Sequence, residues 1–587
     1  MKFRSLSKWD DVEQSKGLIL FAQTIDELLF EFTLDTYKPS AMNSSLLIRE
    51  AMQTYKAIEA GTIQKPNLVH ILNELCENLD KDVVAQSLLS VDLKGVKATL
   101  KNPKSSDESI LTCIQLLGNQ IPLNRYKKRN EELLVRCVCG DQEPSKIRAF
   151  TRSYITTLLN SGYSEKYIQK TSKNYFYYSK NRISGNVAIE DYLELFNNEA
   201  QEYFVIYRAP EYFKHFVNGA SKLGVTITNE VSDFSGIIAR FNFNLKQNET
   251  YLQVKCKAKE PHKAKKYADT KIDQLQTLIG LYHHKEAPKP ILEGLVIFPN
   301  KEDGKKLSSH FNPMHKCKDL KAGVAAKRLE LFVDAFSMEK ESFYRFNRSA
   351  ELHALALGSD SVENQLINLW IALESLIPTK DDSNISQIEH ISKSIMPFLN
   401  FGYIQKITTR LSKDLLLWNA GKTKKILRQV DGHGVMQKTC HLLALDKYKQ
   451  LRDELSNSFG DYHLLHERYK YFEFLFSSPA NLVASLEAHT QRVDWQIRRI
   501  YRARNMIVHD GVTPSYVDIL IENTHDYLDS IFSSLMALAS QEYVANTINQ
   551  GFKMVEIDYS SYLKRLAEKN LSFKDENIEE LLFKYKY

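Results

Sequence analysis

Between residues 201 and 300 the sequence changes its period, and that break constrains the fold more than any other feature of the chain. The segments EYFVIYRAP (202–210), GVTIT (224–228), GIIARFNFNL (236–245), TYLQVKCKA (250–258) and LEGLVIFPN (292–300) are short and rich in β-branched and aromatic residues. Gly, Pro or Asn bounds each of them, which marks strands. Between the last two, PHKAKKYADTKIDQLQTLIGLYH (261–283) repeats its apolar residues at helical spacing and carries Pro261 at its start, where proline is tolerated. Strand, helix, strand predicts a small α/β or α+β domain. On both sides the period is helical, as in PNLVHILNELCENLDKDVVAQSLLSV (66–91).

The expected fold class is therefore mainly α. A helical N-terminal region (1–200) precedes the small α/β domain (201–300), a linker and helix (301–344), a helical bundle (345–545) and a helical tail (546–587). A chain of 587 residues exceeds what one core organises, so several domains are expected. Basic residues number 78 against 72 acidic ones, a net charge of +6. Spread over this length, the excess is mild, so any nucleic-acid partner has to be argued from local clusters. No apolar run approaches the roughly 20 residues needed to span a bilayer. Seven cysteines without paired CxxC spacing fit reduced thiols, and a soluble cytoplasmic protein is expected.

Local clusters exist. Residues 255–271 hold seven lysines, which fit either a solvated face or a phosphate track. Gln253-Val254-Lys255, with Asp233 upstream, is loosely similar to the metal site of restriction-endonuclease-like nucleases. There a carboxylate stands where this chain has glutamine, which removes one negative charge from a Mg²⁺ site.

The densest signal lies in RRIYRARNMIVHDG (498–511). Arg498, Arg502, Asn505 and His509 step by three or four residues and share a helix face, while Ile497, Ile500, Tyr501, Met506 and Val508 supply apolar positions. Arg504 lies five residues from His509, about 140° away around a regular α-helix. Gly511 and Pro514 predict the helix end and place His509 in its last turn. Upstream, ENQLINLWIALESLIP (363–378) sets Leu366, Leu369, Trp370, Leu373 and Ile377 on one stripe with Glu374 inside it. A carboxylate there needs a cationic partner if it is desolvated.

Arg504-x4-His509, with polar Asn505 after the arginine, resembles the Rx4-6H signature of the HEPN superfamily. LINLWIALESLIP (366–378) resembles the first core helix of ApeA-like HEPN proteins from bacterial abortive-infection systems. The likeness covers about 345–545. It implies a metal-independent endoribonuclease that uses no cofactor, with RNA, tRNA loops among the candidates, as substrate. In that scheme His509 is the general acid or base and Arg504 neutralises the phosphate. Asn505 orients the histidine or phosphate, Glu374 positions an arginine, and Arg498, Arg499 and Arg502 bind flanking phosphates. It further implies a homodimer through the C-terminal domain, with an unknown trigger acting through the N-terminal regions. The alternatives are a non-catalytic HEPN scaffold for RNA binding or dimerisation, and the Mg²⁺-dependent restriction-like nuclease.

Overall fold

The computed structural model describes residues 1, 3–29, 42–102, 104–283, 293–308, 312–316, 320–380, 385–540 and 544–583. The chain is mainly helical with one five-stranded sheet among these residues. It divides into two compact units. The first unites Met1–Thr157, Arg182–Asn186 and Asn312–Tyr587; the second comprises Leu158–Asn181 and Val187–Phe311. Most of the N-terminal helical region and the C-terminal helices, far apart in sequence, thus belong to one unit, while Leu158–Asn181 and the residues from Val187 go with the sheet. None of the described helices is long and apolar enough to cross a membrane.

In the second unit, β1 (Gln201–Pro210), β2 (Val225–Thr228), β3 (Glu249–Ala258), β4 (Glu293–Ile297) and β5 (Gly304–Ser308) pair antiparallel in the order β2-β3-β1-β4-β5. Helix Pro261–Gly280 connects β3 to β4, and β1 fills the slot between them, a split βαβ arrangement. Successive side chains alternate between the two faces, and because both faces are covered the central strands are apolar throughout. Tyr203, Val205, Tyr207 and Val254 pack with Ala264, Ala268, Ile272 and Leu275 of that helix. Ile206, Leu295 and Ile297 face the other way, onto Phe234, Ile237 and Phe243.

Two expectations from sequence change here. GIIARFNFNL is not a strand: Ser235–Arg240 is a short helix, and Asn242 follows in the left-handed region at φ 50°. Its apolar residues cap the sheet's second face rather than joining its edge. Conversely, the polar GKKLS forms edge strand β5, whose lysines hide the strand signal and suit an unpaired edge.

The first unit contains the bundle that carries the candidate site. Two N-terminal helices, α1 (Ser44–Glu59) and α2 (Pro66–Lys81), pack on each other. The later helices are α3 (Lys340–Leu357), α4 (Val362–Leu376), α5 (Gln387–Phe401), α6 (Pro479–Asn505), α7 (Val517–Ala539) and α8 (Ile548–Leu566). Leu366, Leu369, Trp370 and Leu373 of α4, Ile391 and Ile395 of α5, Val493, Ile497 and Ile500 of α6, and Leu528 and Ile531 of α7 form one core. Phe552 and Val555 of α8 belong to that core, so the bundle continues past residue 545 instead of ending in a separate tail. Arg345 of α3 donates to the carbonyls of Ser375 (2.6 Å), Leu376 (2.9 Å) and Ile377, satisfying the C-terminal end of α4.

Candidate functional site

Helix α6 positions the site. Ser478 caps its start by accepting from the Asn481 N–H at 3.3 Å, and Pro479 occupies the first turn. Its end is not α-helical. Met506–Asp510 form a π turn, closed by the Gly511 N–H donating to the carbonyls of Met506 and Ile507, with Gly511 left-handed at φ 63°. A hydrogen bond to the fifth preceding residue widens the turn, which rotates His509 back toward the Arg504 side relative to a regular helix. The same turn carries Val508 out of the core, leaving it 45 % exposed.

Two side-chain hydrogen bonds hold the loop that follows. Thr62, just beyond α1, donates to Asp510 Oδ1 at 2.8 Å, and Thr513 donates to Glu363 Oε1 of α4 at 2.7 Å. His509, immediately before the first of these ties, is exposed. Arg504 is half-buried. Its Nη1 donates to Asn505 Oδ1 at 2.9 Å, whereas its buried Nε meets no acceptor among the described residues. Asn505 is buried and holds the arginine rather than the histidine. Half-buried Glu374 lies across on α4. Burial raises its carboxyl above the usual range, and the neighbouring Trp370 indole and Arg504 charge pull it back only in part. The sequence-derived trio Arg504, Asn505 and Glu374 is thus gathered at one end of α6, with His509 protruding beyond it.

The other three arginines have different surroundings. Arg499 is 2 % exposed. Its Nε donates to both Glu50 oxygens (3.2 and 3.0 Å), its Nη2 to Glu74 (2.6 Å) and its Nη1 to Gln496 (2.9 Å). Arg502 is also buried and donates to Glu50 at 2.8 Å. Burial alone would raise the Glu50 carboxyl, but the two guanidiniums outweigh it and hold it low. Glu74 is raised by burial and by the Glu50 charge, against Arg499. Arg498 donates from Nε to Asp494 (2.8 Å) and from Nη1 to His70 Nε2 of α2 (2.9 Å), and Asp494 also accepts from Ser392 of α5 (2.6 Å). A guanidinium only donates, so His70 Nε2 is an unprotonated acceptor. Burial, then the Arg498 charge, lowers the His70 pKa to about 4. The expectation that Arg498, Arg499 and Arg502 reach flanking phosphates therefore needs correcting for all three, which are buried inside the fold. Arg498 is engaged on both sides.

Sequence reasoning missed Glu50, Glu74, His70 and Thr62, all from the N-terminal helices. In the second unit, Asp233 sits exposed on a short turn, Gln253 is half-buried on β3, and Lys255 pairs with Glu202 at 2.9 Å. Lys265, one of the clustered lysines, is buried against Asp269 at 2.8 Å and is unavailable to a phosphate track. Comparison with known proteins adds no assignment: no protein-family model, curated protein or solved structure matches this chain.

Proposed function

We propose that this chain is a metal-independent endoribonuclease of the HEPN type, a cytoplasmic anti-phage effector that cuts single-stranded or tRNA-loop RNA. The observation that carries this reading is the π turn, which leaves His509 exposed at the end of the helix that carries a half-buried Arg504 with unused donor capacity. Imidazole titrates nearest neutral pH and suits proton transfer. A planar guanidinium suits the charge that develops on phosphate oxygens. In the proposed step the ribose 2′-oxygen attacks the adjacent phosphorus, the bond to the 5′-oxygen breaks, and a cyclic phosphate forms. One proton leaves the 2′-hydroxyl and one is delivered to the 5′-oxygen, so two proton-transfer events are required. DNA lacks the 2′-hydroxyl and is excluded as substrate.

Each chain offers a single His509 in this turn. A two-fold dimer through the C-terminal helices places two such turns around one strand, so that one imidazole accepts the proton while the other donates. Arg504 and Glu374 are the charged groups this scheme uses, and Asn505 steadies Arg504, whereas Arg498, buried between Asp494 and His70, is assigned to the fold. Arg499 and Arg502 are likewise assigned to the fold.

The test is incubation of the purified full chain with total RNA in EDTA, followed by end-group analysis. The expected products carry 2′,3′-cyclic phosphate or 3′-phosphate and 5′-hydroxyl ends, and His509→Ala lowers the rate about 10²- to 10⁴-fold. A strict Mg²⁺ requirement with 5′-phosphate ends would contradict the proposal. RNA binding without cleavage, unchanged in His509→Ala, would favour the non-catalytic scaffold.

A further inference from the structure

A second cluster of chemically competent side chains lies in the same bundle, on helices other than the one bearing Arg504 and His509. His525 and Asp529 are one helical turn apart on α7 and share a face. His353 meets them from α3, its ring 4.8 Å from that of His525, centroid to centroid. His525 Nε2 stands 3.5 Å from Asp529 Oδ2, and His353 Nε2 stands 3.9 Å from Asp529 Oδ1. One donor atom from each residue falls within a common 4.8 Å.

These separations are too long for good hydrogen bonds between the groups. His353 Nε2 is buried and has no hydrogen-bond partner, an arrangement that costs stability when the group is left unmet. The separations do suit donors around a common centre. Four-coordinate zinc, with bonds of about 2.0–2.1 Å to nitrogen and oxygen, places its ligand atoms roughly 3.3 Å apart. Small side-chain rotations bring the three groups to that spacing. Two neutral imidazoles and one carboxylate favour a borderline transition-metal ion over Ca²⁺ or Mg²⁺, which prefer all-oxygen shells.

We infer that His353, His525 and Asp529 form a binding site for one divalent transition-metal ion of the Zn²⁺ class, with solvent as a further ligand. The exposure of Asp529, 47 % at its side chain, gives water its approach. His525, only 6 % exposed, anchors the inner side. Phe532 closes edge-on against the His353 ring with centroids 6.0 Å apart. Asp526 and Lys406 are close enough to act on Asp529 electrostatically, and Lys406 is held by Ser530 at 2.8 Å. The ion bridges α3 to α7 and cross-links the bundle. It takes no part in chemistry at His509, so this inference stands whether or not the chain cleaves RNA.

The test uses the full chain, stripped with chelator and dialysed, and titrated with Co²⁺ as a spectroscopic probe. The expected result is visible ligand-field absorption of low-symmetry Co²⁺ that saturates at one equivalent and is bleached by Zn²⁺. Added Zn²⁺ raises the unfolding temperature, as ligand binding to the folded state requires. The two more accessible ligands, His353 (22 % exposed) and Asp529, supply the variants. His353→Gln and Asp529→Asn are expected to weaken Co²⁺ binding about 100-fold or more, the upper end of what even outer-shell changes cost, and to remove the Zn²⁺-dependent shift. Folded variants that bind Co²⁺ as tightly as the parent would overturn the site. So would a parent protein whose added Co²⁺ keeps the spectrum of the aquo ion.

Discussion

Arg499 and Arg504 are little more than one helical turn apart on α6, and their fates are opposite. Arg499 is 2 % exposed and bound by two carboxylates from α1 and α2. Arg504 is half-buried and bonded to its neighbour Asn505, and its electrostatic counterpart on α4, Glu374, comes no closer than a through-space interaction. Both arginines face a carboxylate on a neighbouring helix, and what separates them is that Arg499 is closed in by direct ion pairs while Arg504 bonds only its neighbour Asn505. The Glu50, Glu74, Arg499 and Arg502 cluster balances two charges of each sign and clamps the N-terminal helices onto the helix that ends in His509. Helices α1 and α2 are thereby tied to α6.

The largest expected effect breaks the clamp. Glu50→Ala leaves Arg499 and Arg502 buried with a charge excess, a loss of about 3–5 kcal/mol in denaturant unfolding. Replacing the whole cluster with apolar residues of similar volume should recover most of that loss, because the desolvation cost disappears with the charges. A graded effect follows from His70 and from His489, which is buried on α6 against Asn400 of α5; burial lowers the two to about 4 and about 3. Both titrate near 6.5 when unfolded. Their contribution is therefore complete above pH 6.5 and is lost as the pH falls through 4 and then 3, because the unfolded chain takes up the protons first. His70→Gln retains an acceptor for Arg498 and should flatten the part of that slope between pH 6.5 and 4 in unfolding titrations. The smallest effect belongs to Thr62→Val, which removes the exposed bond to Asp510. A stability change within about 0.5 kcal/mol is expected, together with faster amide exchange at 508–512. An exchange rate equal to the parent's would show that this tie does not hold the turn.

Much of this was legible in the sequence. Period shifts gave the helical regions and the small sheet domain, and the stripe through Leu366, Leu369, Trp370 and Leu373 is buried as expected. Gly511 and Pro514 marked the end of α6. The π turn was not legible, because one extra residue in a turn leaves the apolar spacing nearly unchanged. Val508, for that reason, reads as core and is exposed. Partnership was the other limit. Glu50 among Leu46, Leu47 and Ala51, and Glu74 among Ile71, Leu75 and Leu79, stand on apolar stripes, which signals buried carboxylates. Nothing local names their partners, since those arginines lie more than 400 positions along the chain. The same separation hid the grouping of His353 with His525 and Asp529.

Under the proposed function, α6 divides into a structural clamp and a reactive end. The most direct measurement compares Arg499→Ala with Arg504→Ala side by side for unfolding free energy, reading RNA cleavage in EDTA on the same preparations. Arg499→Ala is expected to lose about 3–5 kcal/mol of stability. Arg504→Ala is expected to keep near-parental stability with cleavage abolished. Equal stability losses in the two variants, or undiminished cleavage by Arg504→Ala, would overturn this division of the helix.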